Sequence, residues 1–101
     1  MIGHTQELKF ESEATLLAAR LYRPKVSDPA PVIVMAHGFS AVMEQLAPQA
    51  EALQAAGFAV LAFDNTCFGL SGGEPRGKVD PPRQLRAWRD AVSFVRTMDG
   101  L

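Results

Sequence analysis

Pro31-Val32-Ile33-Val34-Met35-Ala36-His37-Gly38-Phe39-Ser40 is the stretch that decides the fold. An unbroken apolar run, rich in β-branched residues, is bounded by proline on one side and by His-Gly on the other. It has no alternation of polar and apolar residues, so both faces of the strand are apolar, as in a parallel sheet covered on both sides. The glycine ends the strand, and a helical pattern follows. In open α/β sheets, ligands bind where such a strand gives way to a helix. The candidate functional region is therefore residues 37–40.

Downstream, Leu46, Ala50, Leu53 and Gly57 recur at helical spacing. Pro48 then falls in the first turn, where its missing N–H costs nothing, and Gly57 suits the C-terminal cap. Residues 58–63 form a second continuous apolar run, again a buried strand. Strand, helix and strand at this spacing make a βαβ unit, with parallel strands and a right-handed crossover. Upstream, residues 6–11 alternate, with Leu8 and Phe10 on one face. That period of two predicts a half-exposed strand. Ser12-Glu13 is the expected turn, and residues 14–22 return with Leu17, Ala19 and Leu21 on one face, as an antiparallel hairpin. Residues 23–31 hold Pro24, Pro29 and Pro31, which is loop composition.

Residues 64–79 are glycine-rich and aperiodic, a loop of functional rather than linking character. Asp80-Pro81-Pro82 predicts an N-cap followed by prolines in the first helical turn. The helix, residues 83–98, is expected to bury a stripe of Leu85, Trp88, Val92 and Val95 and to stop at Gly100. It leads toward a further strand beside residues 32–36, so the chain reads as the N-terminal portion of a single larger domain. Without that strand, residues 32–36 are an open apolar edge, which predicts self-association.

With 101 residues, 48% of them hydrophobic, and a net charge of −1, the chain is one small globular unit at most. The balanced charge argues against nucleic acid or an anionic membrane as partner. One cysteine excludes an internal disulfide framework. No basic segment followed by an apolar one opens the sequence, and no apolar run approaches a membrane span, so a cytoplasmic location is expected.

Several motifs compete for attention. Gly69-Leu70-Ser71-Gly72-Gly73 fits the G-x-S-x-G nucleophile elbow, but that elbow needs a strand directly before it and a helix directly after. Ser71 has neither, and is expected to be a loop serine. Residues 72–78 fit G-x-x-x-x-G-K, yet Val79 stands where a phosphate loop needs Ser or Thr, and prolines flank the lysine. Nucleotide binding is not expected. His37 sits at a strand end with no acid or nucleophile adjacent, and is expected to pack and hold the turn. His4 is the second of two histidines, too few for a metal cluster, and no cofactor is expected. Cys67 lacks a basic neighbour to activate it and is expected to be half-buried. The positive signal is residues 37–40, where fixed backbone N–H groups after a sharp glycine turn could stabilise an oxyanion.

Residues 32–39, then Phe58-Ala59-Val60-Leu61-Ala62-Phe63-Asp64 and Phe68-Gly69-Leu70-Ser71-Gly72-Gly73-Glu74-Pro75-Arg76, resemble the third strand, oxyanion turn, fourth strand and following loop of the α/β-hydrolase superfamily. The style is that of its dienelactone-hydrolase-like, serine-aminopeptidase-like and acyl-peptidase-like members. Asn65-Thr66-Cys67 departs from the aromatic, Arg and Gly often found there. The resemblance implies an α/β fold with a mixed sheet in the order 1-2-4-3, strand 2 antiparallel and a helix on each face. It implies a serine hydrolase cleaving an ester, thioester or amide in a small-molecule or peptide acyl substrate. Phe39 would supply an oxyanion N–H from a turn supported by His37, Gly38 and Ser40. The nucleophile, acid and histidine follow later in this fold and are expected beyond Leu101, leaving this chain alone inactive. The alternative is a non-catalytic binding module on the same fold.

Overall fold

The alternating N-terminal segments form two nine-residue strands, β1 (His4–Ser12) and β2 (Thr15–Arg23), paired antiparallel from His4↔Arg23 to Ser12↔Thr15. In this computed structural model the residues described are 4–24, 30–37, 43–65, 67, 69–73, 76 and 80–98. The hairpin turn is Glu13-Ala14, one residue later than the composition suggests. Both residues take positive φ, +51° and +64°, as a two-residue turn matched to strand twist requires. Neither is glycine or asparagine. The tip is held instead from outside, by Glu13 pairing with Arg83 and Arg86 and by Ser12 Oγ donating to Asp90 Oδ2 at 2.6 Å.

The two apolar runs become β3 (Val32–Ala36) and β4 (Ala59–Phe63), parallel in register from Val32↔Ala59 to Ala36↔Phe63. β4 also pairs antiparallel with β2, giving the sheet order β1-β2-β4-β3. Between β3 and β4 run a 3-10 turn (Met43–Leu46) and helix α1 (Ala47–Ala55), with Pro48 in its first turn. α1 ends as its sequence predicts. Gly57 takes φ +99°, its N–H donates to Gln54 O, and Phe58 N–H donates to Leu53 O. This is the Schellman arrangement that a left-handed glycine permits.

Helix α2 (Pro81–Val95) starts at the expected cap, the Asp80 carboxylate accepting from Arg83 N–H at 3.3 Å. The predicted end at Gly100 lies outside the described residues. The buried stripe differs from expectation. Ala87, Ala91 and Val95 face the sheet with Trp88 and Phe94 beside them, while Leu85 is 65% exposed and Val92 lies at the margin. The helical period holds, but its phase is set by small residues that let the helix approach the strands closely.

Two-residue alternation then sorts the strands between two cores. Phe10, Leu17, Leu21, Leu61 and Phe63 pack against α2. On the opposite face Ala18, Tyr22, Val60 and Ala62 pack against Ala50 of α1 and against Met43. Burial is uneven between the parallel strands. Every residue of β4 is buried, whereas every residue of β3 is only half-buried, contrary to the two-sided burial its sequence predicts. The reason is position: among the described residues β3 has a strand on one side only. An apolar groove lined by Val32, Val34, Val92, Val95 and Arg96 runs beside it.

Candidate functional site

Directly after β4 the chain turns a carboxylate inward. Asp64 is 1% exposed, and its N–H still donates to Ala18 O of β2 at 3.0 Å. Its Oδ1 accepts from Met43 N–H at 2.7 Å, and its Oδ2 accepts from Leu70 N–H at 3.0 Å. One side chain therefore fixes both the entry to the helical crossover and the glycine-rich loop. Hydrogen bonds from backbone N–H groups to a carboxylate are among the stronger kinds in proteins. Gly69 is required by this contact. It takes φ +53°, and a Cβ there would lie 2.5 Å from the Asp64 carboxylate.

Ser71 is a structural staple. Its Oγ donates to Asp64 O at 2.6 Å and accepts from Ala18 N–H at 2.8 Å, at 3% exposure. Around it Gly72 N–H donates to Leu16 O, and Cys67 N–H donates to Gly72 O, both at 2.8 Å. Arg76 gathers the loop carbonyls, donating to Ser71 O at 2.5 Å and Gly69 O at 2.7 Å. Both faces of the Ser71 hydroxyl are thus occupied by backbone. The G-x-S-x-G pattern serves loop shape.

Cys67 is fully buried, beyond the half-burial expected, and holds φ +74°, the region in which a side chain is strained and glycine is not. Of the G-x-x-x-x-G-K pattern, Gly77 and Lys78 lie outside the described residues. No group of three or more His, Cys, Asp or Glu able to hold a metal occurs among the described residues. Nor is any described helix long and apolar enough to cross a membrane.

At the end of β3, His37 is buried and bound to the segment after β4. Asn65 N–H donates to His37 Nε2 at 3.1 Å, and Asn65 Nδ2 donates to His37 O at 3.2 Å. A backbone N–H can donate only to an unprotonated ring nitrogen, so the imidazole proton is assigned to Nδ1. The 3.7 Å approach of Nε2 to Asp64 Oδ1 is for that reason a close packing contact and not an ion pair. The expected oxyanion donor Phe39 and its neighbours Gly38 and Ser40 lie outside the described residues.

Three residues carry this site without having been given a role in it from the sequence: Asp64, Asn65 and Gly69. A lone acid closing an apolar strand was the available signal. Its partners, Met43 and Leu70, are 21 and 6 residues away and share no motif with it.

Comparison with known proteins gives the arrangement its family. Residues 27–99 match the family profile described as serine aminopeptidase, S33. A thiohydrolase, aneE, from Aspergillus aculeatus is 45% identical over 86 residues, covering 84% of this chain and 26% of the relative. A hypothetical protein from Pseudomonas aeruginosa superimposes with TM-score 0.90 at 33% identity, over 98% of this chain and 32% of that one. The α/β hydrolase GrgF from Penicillium superimposes with TM-score 0.84 at 26% identity, over 92% and 32%. The chain spans about a third or less of the length of each. Sheet order, crossover and profile together place this chain in the serine aminopeptidase S33 family of α/β hydrolases, matching its N-terminal portion.

Proposed function

We propose that residues 1–101 form the N-terminal portion of a single hydrolase domain that cleaves a thioester, ester or amide through an acyl-enzyme. One observation carries it. His37, which ends β3 and leads into Gly38-Phe39, is pinned by both its carbonyl and its ring to the segment following β4. An oxyanion donor works only if it is fixed before charge develops, because its advantage over water is the absence of reorganisation.

In this reading the Phe39 N–H supplies one such donor, and a serine, an acid and a histidine follow later in the chain. The serine oxygen attacks the acyl carbon as the histidine takes its proton. The tetrahedral oxyanion collapses, and the thiol, alcohol or amine leaves with that proton. Water then attacks the acyl-enzyme and releases the acid. No cofactor is needed. The name of the Aspergillus aculeatus relative, a thiohydrolase, makes an acyl thioester the first substrate to try.

The test is hydrolysis of acyl thioesters and p-nitrophenyl esters by the full-length protein, with fluorophosphonate labelling of its nucleophile. Phe39→Pro, which removes the N–H, should lower turnover about 10²–10³-fold, with circular dichroism confirming an intact fold. Ser71→Ala should retain turnover while lowering the melting temperature, since that hydroxyl bridges Asp64 and Ala18. An active Phe39→Pro variant would remove the oxyanion assignment. An inert, unlabelled wild type would favour a binding module on the same fold.

A further inference from the structure

Among the described residues β1 ends the sheet on the side away from β3. The bonds made by β2 show which backbone groups of β1 face outward. Ala18 N–H donates to Ser71 Oγ, Ala18 O accepts from Asp64 N–H, and Leu16 O accepts from Gly72 N–H. Both residues therefore turn their backbone away from β1. Their antiparallel partners, Lys9 and Glu11, sit in non-hydrogen-bonded pairs, as does Glu7 opposite Arg20. These three residues of β1 direct N–H and C=O to its outer edge. Their side chains are exposed on one face, and the signs alternate along it: Glu7, Lys9, Glu11.

We propose that the outer edge of β1 is an interface for a second copy of this chain, the two β1 strands pairing antiparallel about a two-fold axis through Leu8. Leu8 is the midpoint of His4–Ser12, so this register overlaps all nine residues of the strand. It sets Glu7 opposite the second copy's Lys9, and Lys9 opposite its Glu7. Opposite charges directly across a ladder stabilise it, and like charges there destabilise it. An axis through Glu7 would set Glu7 against itself. One through Lys9 would set Lys9 against itself and Glu7 against Glu11. Charges on an edge strand usually discourage pairing. Here their alternation makes the edge self-complementary in its one full-length register. Arg20, bonded to Glu7 across the hairpin, holds half of each cross-pair in place before the copies meet. The contact is isologous and closes on itself, giving a dimer with one continuous sheet. This interface is independent of the hydrolase reading and lies on the opposite edge from residues 32–36.

Sedimentation velocity on the full-length protein should show a concentration-dependent dimer. Lys9→Glu makes both cross-pairs acidic, and Glu7→Lys makes both basic. Each should raise the dissociation constant about 10–100-fold, with circular dichroism unchanged. Mixing the two single variants should restore dimers, because an acidic strand then faces a basic one. Leu8→Cys gives a second readout. The axis places its two thiols in a non-hydrogen-bonded pair, with Cα atoms about 4.5 Å apart and within disulfide reach. Mild oxidation should then yield a covalent dimer. Thr5→Cys should yield none, since the register separates its two copies by about 20 Å. Cys67 is buried and common to both variants. A wild type that stays monomeric would overturn the proposal. So would dimers that Lys9→Glu leaves intact, or that Thr5→Cys cross-links as readily as Leu8→Cys, because the copies would then meet elsewhere. Should a charge variant unfold, the cysteine pair decides alone.

Discussion

β3 and β4 are both five residues long, both apolar throughout, and paired with each other along their whole length, yet their surroundings differ. β4 has a strand on either side and is buried at every position; among the described residues β3 has one neighbouring strand, and it is half-buried at every position. Composition thus records the burial a strand is suited to, and neighbours decide how much it receives. Their ends differ in the same direction. β4 runs into Asp64, which organises two other segments by itself. β3 runs into His37, which takes its hold from Asn65 on the β4 side.

The sharpest way to break this comparison is at the organising end. Asp64→Ala strands the Met43 and Leu70 N–H groups, and at roughly 1–3 kcal/mol for each unsatisfied donor should cost about 4 kcal/mol in urea unfolding. Gly69→Ala drives a methyl group into the same carboxylate and should approach that loss. A loss below about 1 kcal/mol would mean that the loop is held by other contacts. Next comes a matched pair within the strands. Leu61→Ala in β4 should cost about 3 kcal/mol, as large-to-small changes in closed cores do, and Val34→Ala, its register partner in β3, about 1. Equal losses would show that the two strands are buried alike. The smallest effect belongs to Cys67. Cys67→Gly relieves a positive φ worth about 1–2 kcal/mol and gives up a small buried side chain worth about as much, so stability should change by less than about 1 kcal/mol. Cys67→Val, branched at Cβ, should lose more than that.

Much of this frame was legible because it depends on local repetition. The period-two strands, the paired apolar runs, the Asp80 cap and the Gly57 stop all declare themselves within a few residues. The phase of α2 did not, because hydrophobicity favours Leu85 and Val92, whereas the close approach of helix to sheet favours Ala87 and Ala91. The left-handed turn at Glu13-Ala14 carries no glycine or asparagine to announce it, and its support comes from arginines about 70 residues away. The candidate site was legible only in outline. The rejection of Ser71 as an elbow came from missing local context, but one of its two hydrogen-bond partners, Ala18, is 53 residues distant. Asn65 looked like a departure from the family pattern, and its meaning lies in His37, 28 residues earlier.

The Asp64 carboxylate also constrains the order in which the chain can fold. Met43 and Leu70 have no direct bond to each other, yet their amides end on the same two oxygens, and Ser71 closes onto β2 beside them. The Met43 bond and the closure of Ser71 onto β2 join segments 21 and 53 residues apart, so they should follow the pairing of β2 with β4, whereas the Leu70 bond spans only 6 residues. In native-state hydrogen exchange the Met43 and Leu70 amides should therefore open as one unit assembled from separate parts of the sequence.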